Sequence, residues 1–352
     1  MNIYKPFEHG VSSLLKCSWT LELKTPLVIR ASTSAAIHNK NKKEQKGRKA
    51  EYNFRWEDLA GDKDKNKEWS AVKDFNYDFF VAEDNTFKAR YSIPGSSVRG
   101  ALRQWTIHSL VKEEELGLFS LPKLGNEAVI NKAERMKSAR EAVEDNENYW
   151  HDILSLFGIA FDLNPGVDNP LIWSGRLDMG TVNLISAEQV SSDGYVYEVN
   201  DVNVCAPKNI KSHIKTRSPL DRVTMAARDR GLHSGIEMSE GERFTLEFRI
   251  LNPRPNDLRI LKLWKRDLDA GFIRFGGLTS QGRGRVKIEE NLYTLYAAAN
   301  TPLATYLRKL GKADITETDM LFSDIWKGAE LDFEILLDPD FMATLNAVHN
   351  LS

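Results

Sequence analysis

Apolar and polar residues alternate with a period of two in two segments of the chain, residues 17–23 and 244–250. Apolar side chains occupy the odd positions of the first segment and the even positions of the second. This alternation is typical of a strand with one buried face. The pattern therefore predicts two half-buried strands, and further strands are expected at residues 272–275, 286–295 and 333–337.

Helical periodicity predicts two long helices. The first begins at a turn and N-cap formed by residues 94–97. Its apolar face carries Val98, Ala101, Leu102 and Trp105. The second spans residues 257–271, where Gly271 suits the left-handed conformation that ends a helix. Its apolar stripe carries Leu258, Leu261, Trp264 and Leu268.

The order of elements is strand, long polar segment, helix, strands, strand, helix and strand. Two strand–helix–strand halves of this kind predict an α+β fold with a ferredoxin-like core. The polar segments 39–73 and 126–148 are expected to be insertions into a single domain of residues 1–352. Within residues 186–215, Ser192-Asp193-Gly194 precedes an alternating apolar run, which predicts a projecting hairpin.

Composition limits the classes of protein that this chain can belong to. Hydrophobic residues make up 41% and charged residues 28%, as in soluble globular proteins. The 48 basic and 50 acidic residues give a net charge of -2, so any polyanion site must arise from local segregation of charge. Only Cys17 and Cys205 are present, which favours a reducing, cytoplasmic compartment. No apolar stretch is long enough for a membrane span, so no membrane partner is expected.

A glycine-rich segment near the second helix is the first candidate anion site. We call residues 276–286 the glycine loop, which contains four glycines, a serine and two arginines. Such a loop permits close backbone approach, with amides and guanidinium groups available to phosphate oxygens. It has neither the Walker pattern nor the dinucleotide-binding spacing. The alternative interpretation is a glycine-rich β-turn with surface arginines.

The start of the first helix is the second candidate. A helix N-terminus presents unpaired amides and partial positive charge, and here it carries Ser96, Ser97, Arg99 and Arg103. An anion is expected to bind there. The alternative is an ordinary capped helix with solvated arginines.

A third candidate is the basic region of residues 208–230. This region contains seven positive residues and two negative ones, Asp221 and Asp229, which is a local excess of +5. The positive residues are Lys208, Lys211, Lys215, Arg217, Arg222, Arg228 and Arg230. Residues 39–49 carry the same excess. Either region could instead be a solvated face without a ligand.

Three motifs, residues 93–103, 217–227 and the glycine loop, occur in this order and together resemble the RAMP superfamily of CRISPR-associated proteins. Residues 156–158 and 174–177 are also similar to a segment of that family. The resemblance is greatest to the guide-RNA-binding backbone subunits of type III effector complexes. It implies guide RNA, complementary target RNA and other CRISPR effector subunits as partners.

The resemblance implies an RRM-like palm with a projecting β-hairpin thumb, residues 186–215, that interrupts guide–target pairing. It assigns guide phosphates and sugars to residues of all three motifs. These are Ser96, Ser97, Arg99, Arg103, Arg217, Arg222, Gly276, Gly277, Ser280, Gln281, Gly282 and Arg283. Local positive charge adds Lys208, Lys211, Lys215 and Arg285. Such contacts hold the backbone without reading bases.

Two alternatives to a scaffold function are an endoribonuclease and a nucleotide-binding protein. Target-cleaving relatives carry an Asp after the first strand, whereas residues 30–41 contain neither Asp nor Glu, so no catalytic residue is assigned. Later acids such as Glu44, Glu51 and Asp58 could substitute in target cleavage. In the other version of this alternative the chain processes guide RNA, and His38 acts as a general base without metal. No cofactor is expected, and Mg²⁺ enters only if the complex cleaves target RNA. The nucleotide-binding alternative places a mononucleotide in the glycine loop.

Overall fold

The structure is a computed structural model of the chain. It describes residues 10–38, 54–55, 69–81, 87–113, 116, 141, 149–161, 171–185, 195–199, 202–206, 212–217, 233–298, 301–310 and 326–350.

The strands of the first half of the described chain are β1 Ser13–Leu23, β2 Arg30–His38, β3 Phe54–Arg55, β4 Trp69–Phe75, β5 Tyr77–Val81, β6 Phe87–Ile93, β7 Gly158–Phe161 and β8 Leu171–Ser174. Those of the second half are β9 Leu177–Met179, β10 Val182–Leu184, β11 Tyr195–Val199, β12 Val202–Ala206, β13 Ser212–Arg217, β14 His233–Met238, β15 Arg243–Leu251, β16 Val286–Ala298 and β17 Trp326–Leu331.

The helices are α1 Gly95–Leu110, α2 Tyr149–Phe157, α3 Pro255–Asp269, α4 Pro302–Lys309, α5 Phe333–Leu336 and α6 Pro339–Asn350. Within the described ranges, no helix has both the length and the apolar character needed to cross a membrane.

Four antiparallel strands form the centre of the main sheet, in the order β16, β1, β15 and β10. Helices α1 and α2 lie between β1 and β10 in the chain, and α3 connects β15 to β16. A first strand paired with both the third and the last, with helices in the two crossovers, defines a ferredoxin-like palm. The predicted α+β fold is confirmed.

The alternation of the first strand follows from its position at the centre of this sheet. β1 has Leu15, Cys17, Trp19 and Leu21 with no exposed surface, and the residues between them are partly exposed. Trp19 contacts the ring of Phe248 edge-on at a centroid distance of 5.1 Å. Because successive side chains of a strand point to opposite faces, the buried set lies on one face. The strands predicted at residues 17–23, 244–250 and 286–295 are confirmed by β1, β15 and β16.

Helix α3 covers the buried face of the sheet, where Trp264 contacts Phe248 at a centroid distance of 6.4 Å. Its first turn is capped because the Asp257 carboxylate accepts a 2.7 Å hydrogen bond from the backbone N–H of Arg254. Gly271 follows the helix with φ of +79°, as the sequence predicts. The second predicted helix is therefore confirmed.

Helix α1 confirms the first predicted helix but begins differently. Its N-cap is Pro94, and no side chain caps its amides. Ser96 and Ser97 lie within the first turn, so the predicted serine-containing N-cap is wrong. The first helical residue is glycine because Gly95 packs directly against the backbone carbonyls of Met179 and Gly180, where a Cβ atom would overlap them.

A buried ion pair joins three parts of the palm. The Arg176 guanidinium donates to both carboxylate oxygens of Asp257 at 2.5 and 2.8 Å, and both side chains are 0% exposed. Arg176 also donates to the carbonyl of Asn252 at 2.9 Å and to Ser155 Oγ at 3.0 Å. Since Ser155 lies in α2, Asn252 follows β15 and Asp257 begins α3, one guanidinium connects all three elements.

The two minor sequence segments at residues 156–158 and 174–177 are neighbours in space. Gly158 pairs with Ser174 in the β7–β8 hairpin. Gly175 lies against the backbone of Phe157, where a Cβ would overlap the main chain. This close approach places Arg176 beside α2, which explains why glycine precedes the buried arginine.

Two of the predicted strands are wrong. Residues 272–275 form no strand, and only Arg274 makes an isolated bridge, to Arg285. The backbone N–H groups of residues 272 and 273 instead bond to the carbonyl of Asp267 at the end of α3. Residues 333–336 form α5, because the carbonyl of Asp332 accepts the N–H of Ile335 at 3.1 Å and turns the chain into a helix.

A second sheet and a hairpin flank the palm. The second sheet has the order β13, β14, β4, β2 and β3, so β4 extends into the segment 39–73. The β11–β12 hairpin lies within residues 186–215, at the sheet edge next to β6. Residues 192–194 and most of residues 126–148 lie outside the described residues. The boundaries of the insertions and the thumb remain predictions.

We expect Arg176→Ala to lower the free energy of unfolding by about 3–5 kcal/mol, because it leaves the Asp257 carboxylate buried without a counter-charge. Arg249→Ala is the matched control, since Arg249 pairs with Asp178 while both side chains are more than half exposed. That variant should lose under about 1 kcal/mol. Urea unfolding measures both, and equal losses would contradict the structural importance of the buried pair.

Candidate functional site

The glycine loop turns tightly between α3 and β16. Gly284 has φ of +77°, and a Cβ there would overlap the carbonyl group of Phe275. Gly282 has φ of +84°, but no atom of the described residues lies within 4 Å of its Cβ position. Glycine is therefore required at 284 by both conformation and space, and at 282 by conformation alone.

The loop rests on residues 24–29, which follow β1. Gly277 N–H donates to the carbonyl of Val28 at 2.8 Å, and Gly284 N–H donates to that of Pro26 at 2.9 Å. Arg285 N–H donates to Thr25 Oγ1 at 2.9 Å. The folded loop is thus fixed by backbone hydrogen bonds to the end of the first palm strand.

Most of the loop amides consequently have protein acceptors. Besides these three, the N–H groups of Gln281, Gly282 and Arg283 donate to carbonyls within the loop. The prediction that loop amides are available to phosphate oxygens is wrong for these six. The positive-φ turns direct these six amides back into the protein, so they do not contribute to anion binding.

The side chains of the loop differ in their availability. Ser280 and Gln281 are exposed, as are Gly276 and Gly277. Arg283 Nε donates to the buried Glu237 carboxylate at 3.2 Å, and 23% of the arginine side chain is exposed. The predicted ligand Arg283 is therefore already paired with an acid in this structure.

Arg285 differs from Arg283 because its guanidinium has no hydrogen-bond or ion-pair partner among the residues that the structure describes. The residue is exposed. Its Nε lies 2.5 Å from the position of a Cβ on Gly271, so the side chain extends across the end of α3. A fixed stem and an unpaired head suit a contact with an anionic ligand.

The first turn of α1 exposes Ser96 and Ser97. Arg99, one turn on, donates to the carbonyl of Phe157 at the end of α2. Arg103 is half-buried and makes no hydrogen bond or ion pair within the described part of the chain. Burial lowers the pKa of the Arg103 guanidinium, and the positive charge of Arg99 lowers it further. These two like charges on successive turns would be stabilised by an anion.

The helix start and the glycine loop are separate. Ser92, just before α1, lies in the same row of the sheet as Thr20, whereas Val286, which ends the loop, pairs with Leu23. The start of α1 and the end of the glycine loop are therefore roughly 10 Å apart along the strands and about 19 Å apart across four strand spacings. One phosphate cannot contact both, and a strand of several nucleotides is needed to connect them.

The second motif begins on the sheet that contacts the glycine loop, but at the far end of its strand, because Arg217 pairs with His233 whereas the residue opposite Glu237 is His213. Arg217 ends β13, Lys215 is exposed on that strand, and β13 pairs with β14. β14 carries Glu237, the partner of Arg283, and its Met238 bonds to Leu27. Lys208, Lys211 and Arg222 lie outside the described residues.

Sequence reasoning missed an aromatic pair at the end of α3. Trp105 and Phe272 are stacked, with ring centroids 6.1 Å apart and planes 6° from parallel. The Trp105 indole N–H donates to the Asp267 carboxylate at 2.7 Å. Helical spacing placed Trp105 on the apolar face of α1, and the apolar run 272–275 placed Phe272 in a strand. Neither residue was therefore identified as part of the surface.

The Asp267 carboxylate stays ionised despite its burial. Burial raises its pKa, but hydrogen bonds from Arg266 and Trp105 outweigh burial, and the net pKa lies below the usual value. The aromatic pair is therefore held by a charged acceptor.

The structure describes little of the residues considered for catalysis. Glu44, Glu51 and Asp58 lie outside the described residues, and His38 is described only by its backbone at the end of β2. Among the residues that the structure describes, no three His, Cys, Asp or Glu side chains are arranged to hold a metal ion. The endoribonuclease alternative stays a prediction.

Comparison with known families identifies the class of protein to which this ferredoxin-like palm belongs. The model of the RAMP superfamily matches residues 20–287, so the chain belongs to that superfamily. This confirms the resemblance of the sequence motifs. No curated protein matches the chain.

One solved structure that the chain resembles is described as a "Type IV-B CRISPR Complex". The two chains are 14% identical with a TM-score of 0.41, and the alignment covers 80% of this chain and 90% of that chain.

The two loop glycines should respond differently to replacement by alanine. Gly282→Ala should lower the free energy of unfolding by roughly 1–2 kcal/mol, the cost of a left-handed backbone with a Cβ. Gly284→Ala should lower it by more, because the new methyl group also overlaps Phe275. Thermal unfolding monitored by circular dichroism compares them, and an equal loss would contradict the described loop.

Proposed function

We propose that this chain is an RNA-binding backbone subunit of a type III CRISPR effector ribonucleoprotein. It grips guide RNA by the phosphates and shapes the guide–target duplex. Its partners are guide RNA, complementary target RNA and other CRISPR effector subunits, and it acts in the cytoplasm. Membership of the RAMP superfamily supports the class, and the resemblance of the three sequence motifs supports the type III assignment.

The observation that carries this proposal is that the first motif and the glycine loop each carry a guanidinium group without a protein partner among the described residues. Arg103 on α1 and Arg285 beside the glycine loop meet this description. Several other arginines of the palm are paired with acids, as Arg243 is with Glu289 and Arg249 with Asp178. In a chain of net charge -2, unpaired arginines at both family motifs are consistent with anionic ligands.

The ligand chemistry favours the phosphate backbone over the bases. A guanidinium presents up to five donors in a planar fork that matches phosphate oxygens. The exposed hydroxyls of Ser96, Ser97 and Ser280 can donate to phosphate or sugar oxygens as well. Binding through such groups is largely independent of sequence, as a subunit that carries many different guides requires.

The separation of the two sites suggests a path for the RNA. A strand that contacts Arg103 and then reaches Ser280 and Arg285 must cross the palm over several nucleotides. The basic residues from Lys208 to Arg222, at and before the start of the second motif, would contact the same RNA strand. In this arrangement the β11–β12 hairpin is part of the thumb, and the insertions 39–73 and 126–148 cover neighbouring subunits or nucleic acid.

We expect Arg103→Ala and Arg285→Ala each to weaken RNA binding for unrelated sequences alike. Each should flatten the slope of log affinity against log salt by about one unit, because one phosphate contact is lost. Fluorescence anisotropy with two unrelated single-stranded RNAs, between about 50 and 200 mM salt, measures this. Arg249→Ala is the control, since that arginine is neutralised by Asp178.

Unchanged slopes in both variants would contradict the assignment of these arginines to phosphates. Competition by a mononucleotide distinguishes the alternative function. The proposal predicts affinity that rises with RNA length and little competition. Saturable mononucleotide binding that is indifferent to RNA length would instead identify a nucleotide-binding protein.

A further inference from the structure

The aromatic pair of Trp105 and Phe272 has an open face. Phe272 is 65% exposed, the highest value for a large apolar residue within the described chain. One side of its ring lies against Trp105, so the other side is open to solvent. Burying a free aromatic face is favourable, so a second ring that stacks on the exposed part of Phe272 would be stabilised.

The orientation of the pair is fixed by a single residue. The carbonyl of Asp267 accepts the backbone N–H of Phe272 at 2.9 Å, and its carboxylate accepts the indole N–H of Trp105 at 2.7 Å. The carboxylate is itself bound by the Arg266 guanidinium at 2.7 Å. The open ring is therefore preorganised, so a planar ligand need not order it on binding.

An unpaired cation lies beside the ring, and the residue that follows Phe272 offers little apolar surface. Gly271 precedes Phe272, and the exposed Arg285 lies against that glycine. Ile273, the residue that follows, is 2% exposed and contributes no apolar patch. A single aromatic face beside an unpaired guanidinium is complementary to a nucleotide, whose base is a flat π-system and whose phosphate is anionic. An apolar protein surface would leave Arg285 buried without a counter-charge.

We propose that Phe272, backed by Trp105, is a stacking platform for one nucleobase of single-stranded RNA, with Arg285 contacting the adjoining phosphate. The inference rests on the proposed function and adds a base contact to it. Stacking accepts any base because every base has a π-face, so it is compatible with binding that does not read sequence. The platform also fixes where along the glycine loop a base is positioned.

The test is RNA binding by Phe272 variants of the full chain, with an oligouridine of about 12 nucleotides as the probe. Phe272→Ala should bind about 5- to 150-fold more weakly, with an unchanged salt slope because no charge is lost. Phe272→Leu should resemble the alanine variant, and Phe272→Trp should retain wild-type affinity because the π-face is kept.

Tyr149→Ala is a matched control for loss of an exposed aromatic residue. Tyr149 is 47% exposed and begins α2, whose Asp152 accepts a hydrogen bond from Asn256 at the start of α3. Phe272 follows the C-terminal end of α3, about 22 Å from the start of that helix along its axis. This variant should bind RNA with wild-type affinity.

Photo-crosslinking supplies a second readout. Oligouridine that contains iodouridine should crosslink to the peptide that contains Phe272, and Phe272→Leu should lose that crosslink. Wild-type affinity in Phe272→Ala or in Phe272→Leu would overturn the platform while leaving the proposed function intact. Failure of the wild-type chain to bind RNA would instead overturn the proposed function, so the two failures are distinguishable.

Discussion

The buried ion pair between Arg176 and Asp257 is the interaction on which the rest of the palm depends. An isolated charge is very costly in a protein interior, so the two side chains must remain together. Their pairing fixes the start of α3 against α2 and the end of β15. Because α3 is a rigid rod, fixing its start also positions its end, where Asp267, Phe272 and the glycine loop lie.

The elements that could be predicted from the sequence are those whose buried residues recur at regular intervals. β1, β15 and α3 each bury one face against the same core, so alternation or helical spacing identified them. It failed at residues 272–275 and 333–337, where short apolar runs are turned by hydrogen bonds to Asp267 and Asp332. Such bonds depend on which acceptors the preceding helix or strand leaves free, and periodicity carries no information about them.

The candidate site was predictable only at the level of residue type. Motif spacing singled out Arg99, Arg103, Arg283 and Arg285, but it could not show which of these guanidinium groups already have a hydrogen-bond partner in the protein. Arg99 bonds to a helix end and Arg283 to Glu237, a residue 46 positions away in the chain. Bonds to residues 25–28 and bonds within the loop likewise occupy six of the loop amides. Side chains beside the loop are therefore important for any contact with phosphate.

A residue-resolution map of the protein bound to single-stranded RNA is the most direct test of how the palm binds its ligand. We expect one ribose-phosphate strand that crosses the palm, with phosphates within hydrogen-bond distance of Arg103 and of Arg285. An RNA strand that runs over another surface of the palm and leaves both guanidiniums without phosphate would contradict the central claim.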